Sequence, residues 1–175
     1  TMLKVYVNGY AICGPNFHTA SEFWRGLVSK NDMAGGKMPR KESFDNLFFQ
    51  TSVHEADKTD PQIRLLLELT YEALVEAGVD DFSDLSDDTG VYVGSSFGDF
   101  HKSLLADNEC LEGNEHIGAA GSMLANRISY YFGLKGPSMK IDSACSSSLN
   151  ALDIACNDIR SGKVNMAIVG VCNIT

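Results

Sequence analysis

Ser138-Met139-Lys140-Ile141-Asp142-Ser143-Ala144-Cys145-Ser146-Ser147-Ser148-Leu149 runs from an extended segment through a turn of small residues into a helix. The spacing predicts a short strand over 138–142 and a helix from Cys145 to Arg160, closed by Gly162. An aliphatic strand follows over Met166–Val171. Strand, helix and strand in this order point to an α/β layer with a largely parallel sheet.

The same stretch sets a thiol where a strand meets a helix. First-turn N–H groups of a helix lack internal partners and, with the helix dipole, favour negative charge. A cysteine there has its thiolate favoured, and the same N–H groups hold an oxyanion. The flanking serines are small enough to admit an extended thioester. Cys145 therefore reads as a covalent nucleophile. Spacing alone leaves a structural role equally open, since free cysteines are commonly buried and inert. That inert role is the reading for Cys13, Cys110, Cys156 and Cys172, with Cys156 on an inner helical stripe beside Leu149, Leu152 and Ile159.

Upstream, Leu3, Val5 and Val7 alternate with Lys4 and Tyr6 before Asn8-Gly9, which predicts a first strand and turn. Thr19 and Glu22 form a capping box ahead of Phe23, Trp24, Leu27 and Val28 at helical spacing. Residues 31–43 read as an exposed loop. Asp60-Pro61 starts a helix whose inner face is Ile63, Leu66, Leu67, Thr70, Leu74 and Ala77, widened by Leu65 and Leu69 and stopped by Gly78. Val91-Tyr92-Val93 forms a buried strand running into Gly94-Ser95-Ser96. A close-packed helix is expected from about Ile117 to Phe132, ending at Gly133.

Composition narrows the chemistry. With 175 residues and 44% hydrophobic content, one globular unit over residues 1–175 is expected. Lysine and arginine total 14 against 23 acidic residues, and the resulting −9 opposes a polyanionic partner, so nucleic acid is excluded. No apolar run approaches the roughly 18–20 residues of a membrane span. The cysteines form no zinc spacing, and no dinucleotide, P-loop or zincin motif occurs. A soluble cytoplasmic chain with reduced thiols, no membrane association and no metal or directly bound cofactor is expected.

The run Asp142-Ser143-Ala144-Cys145-Ser146-Ser147-Ser148-Leu149 resembles the active-site motif of the β-ketoacyl synthases of animal-type fatty acid synthases and modular polyketide synthases. Further segments match in the same order: Phe44-Asp45 and Phe48-Phe49, Glu55-Ala56, Asp60-Pro61-Gln62, Arg64-Leu65-Leu66-Leu67-Glu68, Gly90-Val91-Tyr92-Val93-Gly94, Ala125-Asn126-Arg127-Ile128-Ser129-Tyr130 and Gly136-Pro137-Ser138. Thr70-Tyr71-Glu72-Ala73 together with Ala125-Asn126-Arg127 leans toward the animal fatty acid synthase branch. Ile12 and Val171 stand where glycines are common in the family, and the loop from Lys30 to Ser43 is short for it.

The resemblance implies a thiolase-like fold, present here as its N-terminal half, a layered α/β arrangement with a mixed, largely parallel sheet. It implies that Cys145 takes an acyl chain from the phosphopantetheine arm of an acyl carrier protein, before decarboxylative condensation with a malonyl unit. Asp142, Ser143, Ser146, Ser147 and Ser148 then shape the turn rather than react. The family's two catalytic histidines belong to a second half of the fold. His18, His54, His101 and His116 lie outside the matching motifs and read as surface or loop residues. A missing C-terminal half is thus an expected partner, alongside the carrier protein and a second copy in a homodimer, and the chain alone is expected to dissolve poorly. The competing expectation is a non-catalytic remnant that folds or associates with a partner half without turnover. A thiol hydrolase or redox protein has less support, because no adjacent histidine base or second cysteine accompanies Cys145.

Overall fold

The computed structural model describes residues 3–32, 35–36, 38–79, 81–96 and 120–174. Cys110, His101, His116 and the expected helix start at Ile117 lie outside the described residues. Among the described residues the helices are, in chain order, α1 (Ala20–Val28), α2 (Val53–Lys58), α3 (Pro61–Glu76), α4 (Met123–Tyr131) and α5 (Ser147–Arg160). The strands are β1 (Gly90–Gly94), β2 (Ser138–Ile141) and β3 (Ala167–Val171).

All five residues of β1 are buried, as an apolar run covered on both faces requires. It is the central strand of the order β2-β1-β3, and both pairings are parallel. Val91 faces Ser138 and Gly94 faces Ile141 on one side, while Gly90 faces Ala167 and Gly94 faces Val171 on the other. The three strands therefore end together, at Gly94, Ile141 and Val171.

Helices cover both faces. On one, Val91 and Val93 pack with Ile63, Leu66 and Leu67 of α3 and with Leu124, Ala125 and Ile128 of α4. On the other, Tyr92 meets Ala151 and Ala155 of α5, with Met139, Ile141, Ala167 and Val169 around them. Alternation along β1 thus divides the core between two layers.

The α3 helix follows from its ends. The Asp60 carboxylate accepts the Gln62 N–H at 2.8 Å, and Pro61 occupies a first position that needs no donor. At the other end Gly78 takes φ 82°, the Gly78 N–H donates to the Val75 carbonyl and the Val79 N–H to that of Leu74. The buried residues include Ile63, Leu65, Leu66, Leu67, Thr70 and Leu74, while Leu69 and Ala77 are half-buried.

The family-like segments away from the turn hold the layers together. Gln62 is buried; its amide donates to Asp60 and its carbonyl oxygen accepts the Ile174 N–H at 3.1 Å, tying α3 to the chain after β3. Ser138 at the start of β2 accepts from the Ser129 hydroxyl and donates to Asn126, both at 2.8 Å. Arg127 pairs with Glu55 of α2.

Two expectations are corrected at the N-terminus. Leu3–Val7 is not a strand: no described strand pairs with it, and Leu3, Tyr6 and Val7 are all exposed. Alternation signals a half-buried strand only when a ladder and a core meet it. The capping box at α1 forms with one shift. Thr19 accepts the Glu22 N–H at 3.2 Å, but the Glu22 carboxylate reaches back to the His18 N–H at 2.7 Å. Trp24, Leu27 and Val28 are exposed on this helix.

Among the described residues, no helix is long and apolar enough to cross a membrane. No group of three His, Cys, Asp or Glu side chains among them is arranged to hold a metal ion.

Candidate active site

Open parallel sheets place chemistry where their strands end on the carboxyl side. Here that edge carries Gly94 at the end of β1 with Ser95-Ser96 after it, and Asp142-Ser143-Ala144-Cys145 after β2. The expected helix from Cys145 begins two residues later than predicted. Ala144–Ser146 forms a single tight 3₁₀ turn, and α5 starts at Ser147. Cys145 therefore sits in the turn that feeds the helix, with its side chain exposed.

The turn is strained and closely held. Ala144 has φ 55°, a left-handed conformation that costs a non-glycine residue roughly 1–2 kcal/mol. Such a conformation persists only where surrounding contacts over-determine it. The Ala144 carbonyl accepts the Ser147 N–H, the Ser147 hydroxyl at 2.7 Å and the Ser96 hydroxyl at 2.8 Å. Ser147 Oγ also accepts the Ser143 N–H at 2.9 Å, and Asp142 Oδ1 accepts the Ala144 N–H at 3.2 Å.

A second layer braces Ser143. Its carbonyl accepts the Ser146 hydroxyl at 2.8 Å, and its own Oγ accepts Asn150 Nδ2 at 2.6 Å. Lys140 Nζ lies 3.6 Å from Asp142 Oδ2. Asp142, Ser143, Ser146 and Ser147 thus hold the turn, as expected, through bonds in which Cys145 Sγ takes no part. Ser148 is half-buried in the first turn of α5.

The helix reaches the sheet through small residues. Ser147, Ala151 and Ala155 are its buried positions, one above the other at i, i+4 and i+8. The predicted inner stripe is corrected by this: Leu149 is 70% exposed and Leu152 is 41% exposed. Cys156 and Ile159 are half-buried on the same outward side. Small side chains let α5 lie close against β1, and the larger leucines point away.

The other described thiols are less exposed than Cys145. Burial pushes the Cys172 thiol up to about 12. It also pushes Cys13 up, against the opposing field of Arg40. Cys13 lines an apolar cleft of about 590 Å³ with Phe23, Trp24 and Leu69, and Cys145 is not part of it. Of the described cysteines Cys145 alone is exposed. His18 and His54 are exposed and make no bond to the Cys145 turn.

Sequence reasoning passed over Ser96 and Asn150. Ser96 stands at the carboxyl end of β1, which was the available signal. Its contact with Ala144 spans 48 residues and has no periodic trace.

Comparison with known proteins agrees with this geometry. A family described as Beta-ketoacyl synthase, N-terminal domain, matches residues 31–175. A fatty acid synthase of Anser anser anser is 38% identical over 190 aligned residues, covering 99% of this chain and 54% of that protein. A reducing polyketide synthase of Aspergillus oryzae is 47% identical over 133 residues, covering 76% of this chain and 6% of its own length. Among solved structures, the ketosynthase from module 6 of the Bacillus subtilis bacillaene synthase superposes with a TM-score of 0.82 at 28% identity, covering 97% of this chain and 32% of that one. An oxazolomycin ketosynthase domain of Streptomyces albus gives 0.78 at 30%, covering 97% and 34%. The chain thus spans about half the length of the fatty acid synthase relative and about a third of the ketosynthase structures. The parallel sheet, the covering helices and these relatives agree: the fold is thiolase-like, and the chain belongs to the β-ketoacyl synthase family, matching its N-terminal domain.

Proposed function

We propose that this chain supplies the acyl-holding half of a 3-oxoacyl thioester synthase, with Cys145 as the nucleophile. The observation that carries the reading is an exposed thiol in a tightly bonded turn at the start of α5. The Cys145 thiolate attacks the carbonyl carbon of an acyl thioester carried on the phosphopantetheine arm of an acyl carrier protein. The oxyanion forms against the Cys145 N–H, supported by the α5 dipole. Collapse breaks the bond to the carrier's sulfur, which leaves with the proton that Cys145 gave up. A malonyl thioester then loses carbon dioxide, its carbanion attacks the acyl-enzyme, and Cys145 is released with a product two carbons longer.

The second step needs groups that stabilise the carbanion, and neither described histidine joins the turn. We assign that step to a C-terminal half of the fold. The exposed stripe of Leu149 and Leu152 supports this, because apolar side chains on a helix of the core normally meet a partner. Residues 1–175 are then the N-terminal domain of a larger cytoplasmic synthase that works as a homodimer.

The test is to supply the intact protein first with an acyl thioester and then with a malonyl thioester. The first addition is expected to give an acyl-enzyme at Cys145, the second a 3-oxoacyl product. Binding without either adduct or product would leave a folded remnant of the family.

A further inference from the structure

The hydroxyls that meet at Ala144 act on the peptide unit shared with Cys145. A peptide is planar and trans, so its N–H points opposite to its C=O. The Ala144 carbonyl is drawn toward the sheet by Ser96 Oγ at 2.8 Å and by Ser147 Oγ at 2.7 Å. These two oxygens lie 3.2 Å apart and close the arrangement. The N–H of the same peptide, that of Cys145, therefore points away from them. The neighbouring N–H groups are occupied: Ser146 donates to the Ser143 carbonyl and Ser147 to that of Ala144. No acceptor for the Cys145 N–H exists among the described residues.

Ser96 is the member of this group that comes from outside the turn. It enters from the end of β1, next to Gly94, whose backbone lies against Ser147. Ser147 alone belongs to the helix and would move with it. Ser96 instead fixes the peptide relative to the sheet.

We propose that Ser96, acting with Ser147, is a positioning residue: it anchors the Ala144 carbonyl so that the Cys145 N–H is aimed as the oxyanion donor. This rests on the reading of Cys145 as the acyl acceptor. Ser96 touches neither the acyl group nor the thiol, and its effect passes through the peptide it holds.

Acyl transfer and alkylation separate a positioning role from a structural one. Transfer from a thioester passes through an oxyanion and depends on the aimed N–H, whereas alkylation by iodoacetamide displaces iodide and forms none. In the intact protein, Ser96→Ala is expected to slow acylation of Cys145 by an acyl-pantetheine thioester about tenfold. Alkylation of Cys145 and the melting temperature are expected to stay near wild type, and Ser96→Thr, which keeps the hydroxyl, is expected to restore transfer. Equal slowing of both reactions, or a loss of transfer that follows the melting temperature, overturns the proposal. So does unchanged transfer in Ser96→Ala. Wild-type protein whose Cys145 is alkylated but never acylated overturns the acyl-acceptor reading underneath, and this proposal with it.

Discussion

A Cβ placed on Gly94 would stand 2.7 Å from the carbonyl carbon of Ser147, so the end of β1 and the start of α5 touch backbone to backbone. No flexible side chain lies between them to give way. The Cys145 turn is thereby fixed to the central strand of the sheet.

Gly94→Ala is expected to destabilise the protein by about 1–3 kcal/mol, the usual cost of forcing atoms into a filled core. Calorimetry checks this. Because the clash falls on the first residue of α5, acylation of Cys145 is expected to drop further than the melting temperature accounts for. A variant that melts like wild type would place the two backbones farther apart.

Tyr92 ties the middle of the sheet to the far end of α5. Its hydroxyl donates to Asp158 Oδ2 at 2.6 Å, and Lys163 Nζ lies 2.8 Å from the same oxygen. Lys163 first, and Tyr92 second, hold the Asp158 carboxyl below its ordinary value of 3.8. A depressed carboxyl contributes stability that is fully present above the unfolded value and is lost as pH falls through the folded one. Tyr92→Phe is expected to cost about 1.5 kcal/mol near neutral pH. Melting curves should show the gap to wild type closing only below about pH 3.8.

Asp60 behaves in the opposite sense. Burial raises its carboxyl above 3.8, against the lowering effect of its bonds from Gln62. Its ionised form therefore costs stability, and the cost sets in as pH rises from 3.8 through the raised folded value. Asp60→Asn keeps an acceptor for the Gln62 N–H and removes the charge, so it is expected to melt at or above wild type at neutral pH. Asp60→Ala loses the cap and is expected to fall by about 1 kcal/mol. Comparison of the two by thermal melting separates the cap from the charge.

The sequence made α3 legible because its Asp60 cap, apolar spacing and Gly78 stop all agreed, and it made the β2-turn-α5 unit legible through the order of strand, small-residue turn and helix ending at Gly162. It misplaced the inner face of α5. Hydrophobicity favours Leu149 and Leu152 as core, yet the sheet receives Ser147, Ala151 and Ala155 because close backbone approach at Gly94 leaves room only for small side chains. The Leu3–Val7 strand failed for the reverse reason: its pattern is real, but among the described residues it has no strand to pair with. The contact of Ser96 with Ala144 lay beyond any reading of spacing, since it joins hydroxyl and carbonyl across two separate strand ends.

The outward leucines carry their own expectation. If a C-terminal half covers them, Leu149→Ser with Leu152→Ser should make the isolated 175-residue chain less prone to aggregate, as seen by light scattering. The same pair should lower the melting temperature of the intact protein. No change in either preparation would leave the stripe solvent-facing in the working molecule.

Acyl labelling at the five cysteines tests the central claim most directly. After incubation with an acyl-pantetheine thioester, mass mapping is expected to find one acyl group per chain, on Cys145, and none in Cys145→Ala. An adduct on Cys13, Cys110, Cys156 or Cys172 instead, or equal labelling of Cys145→Ala, would contradict it.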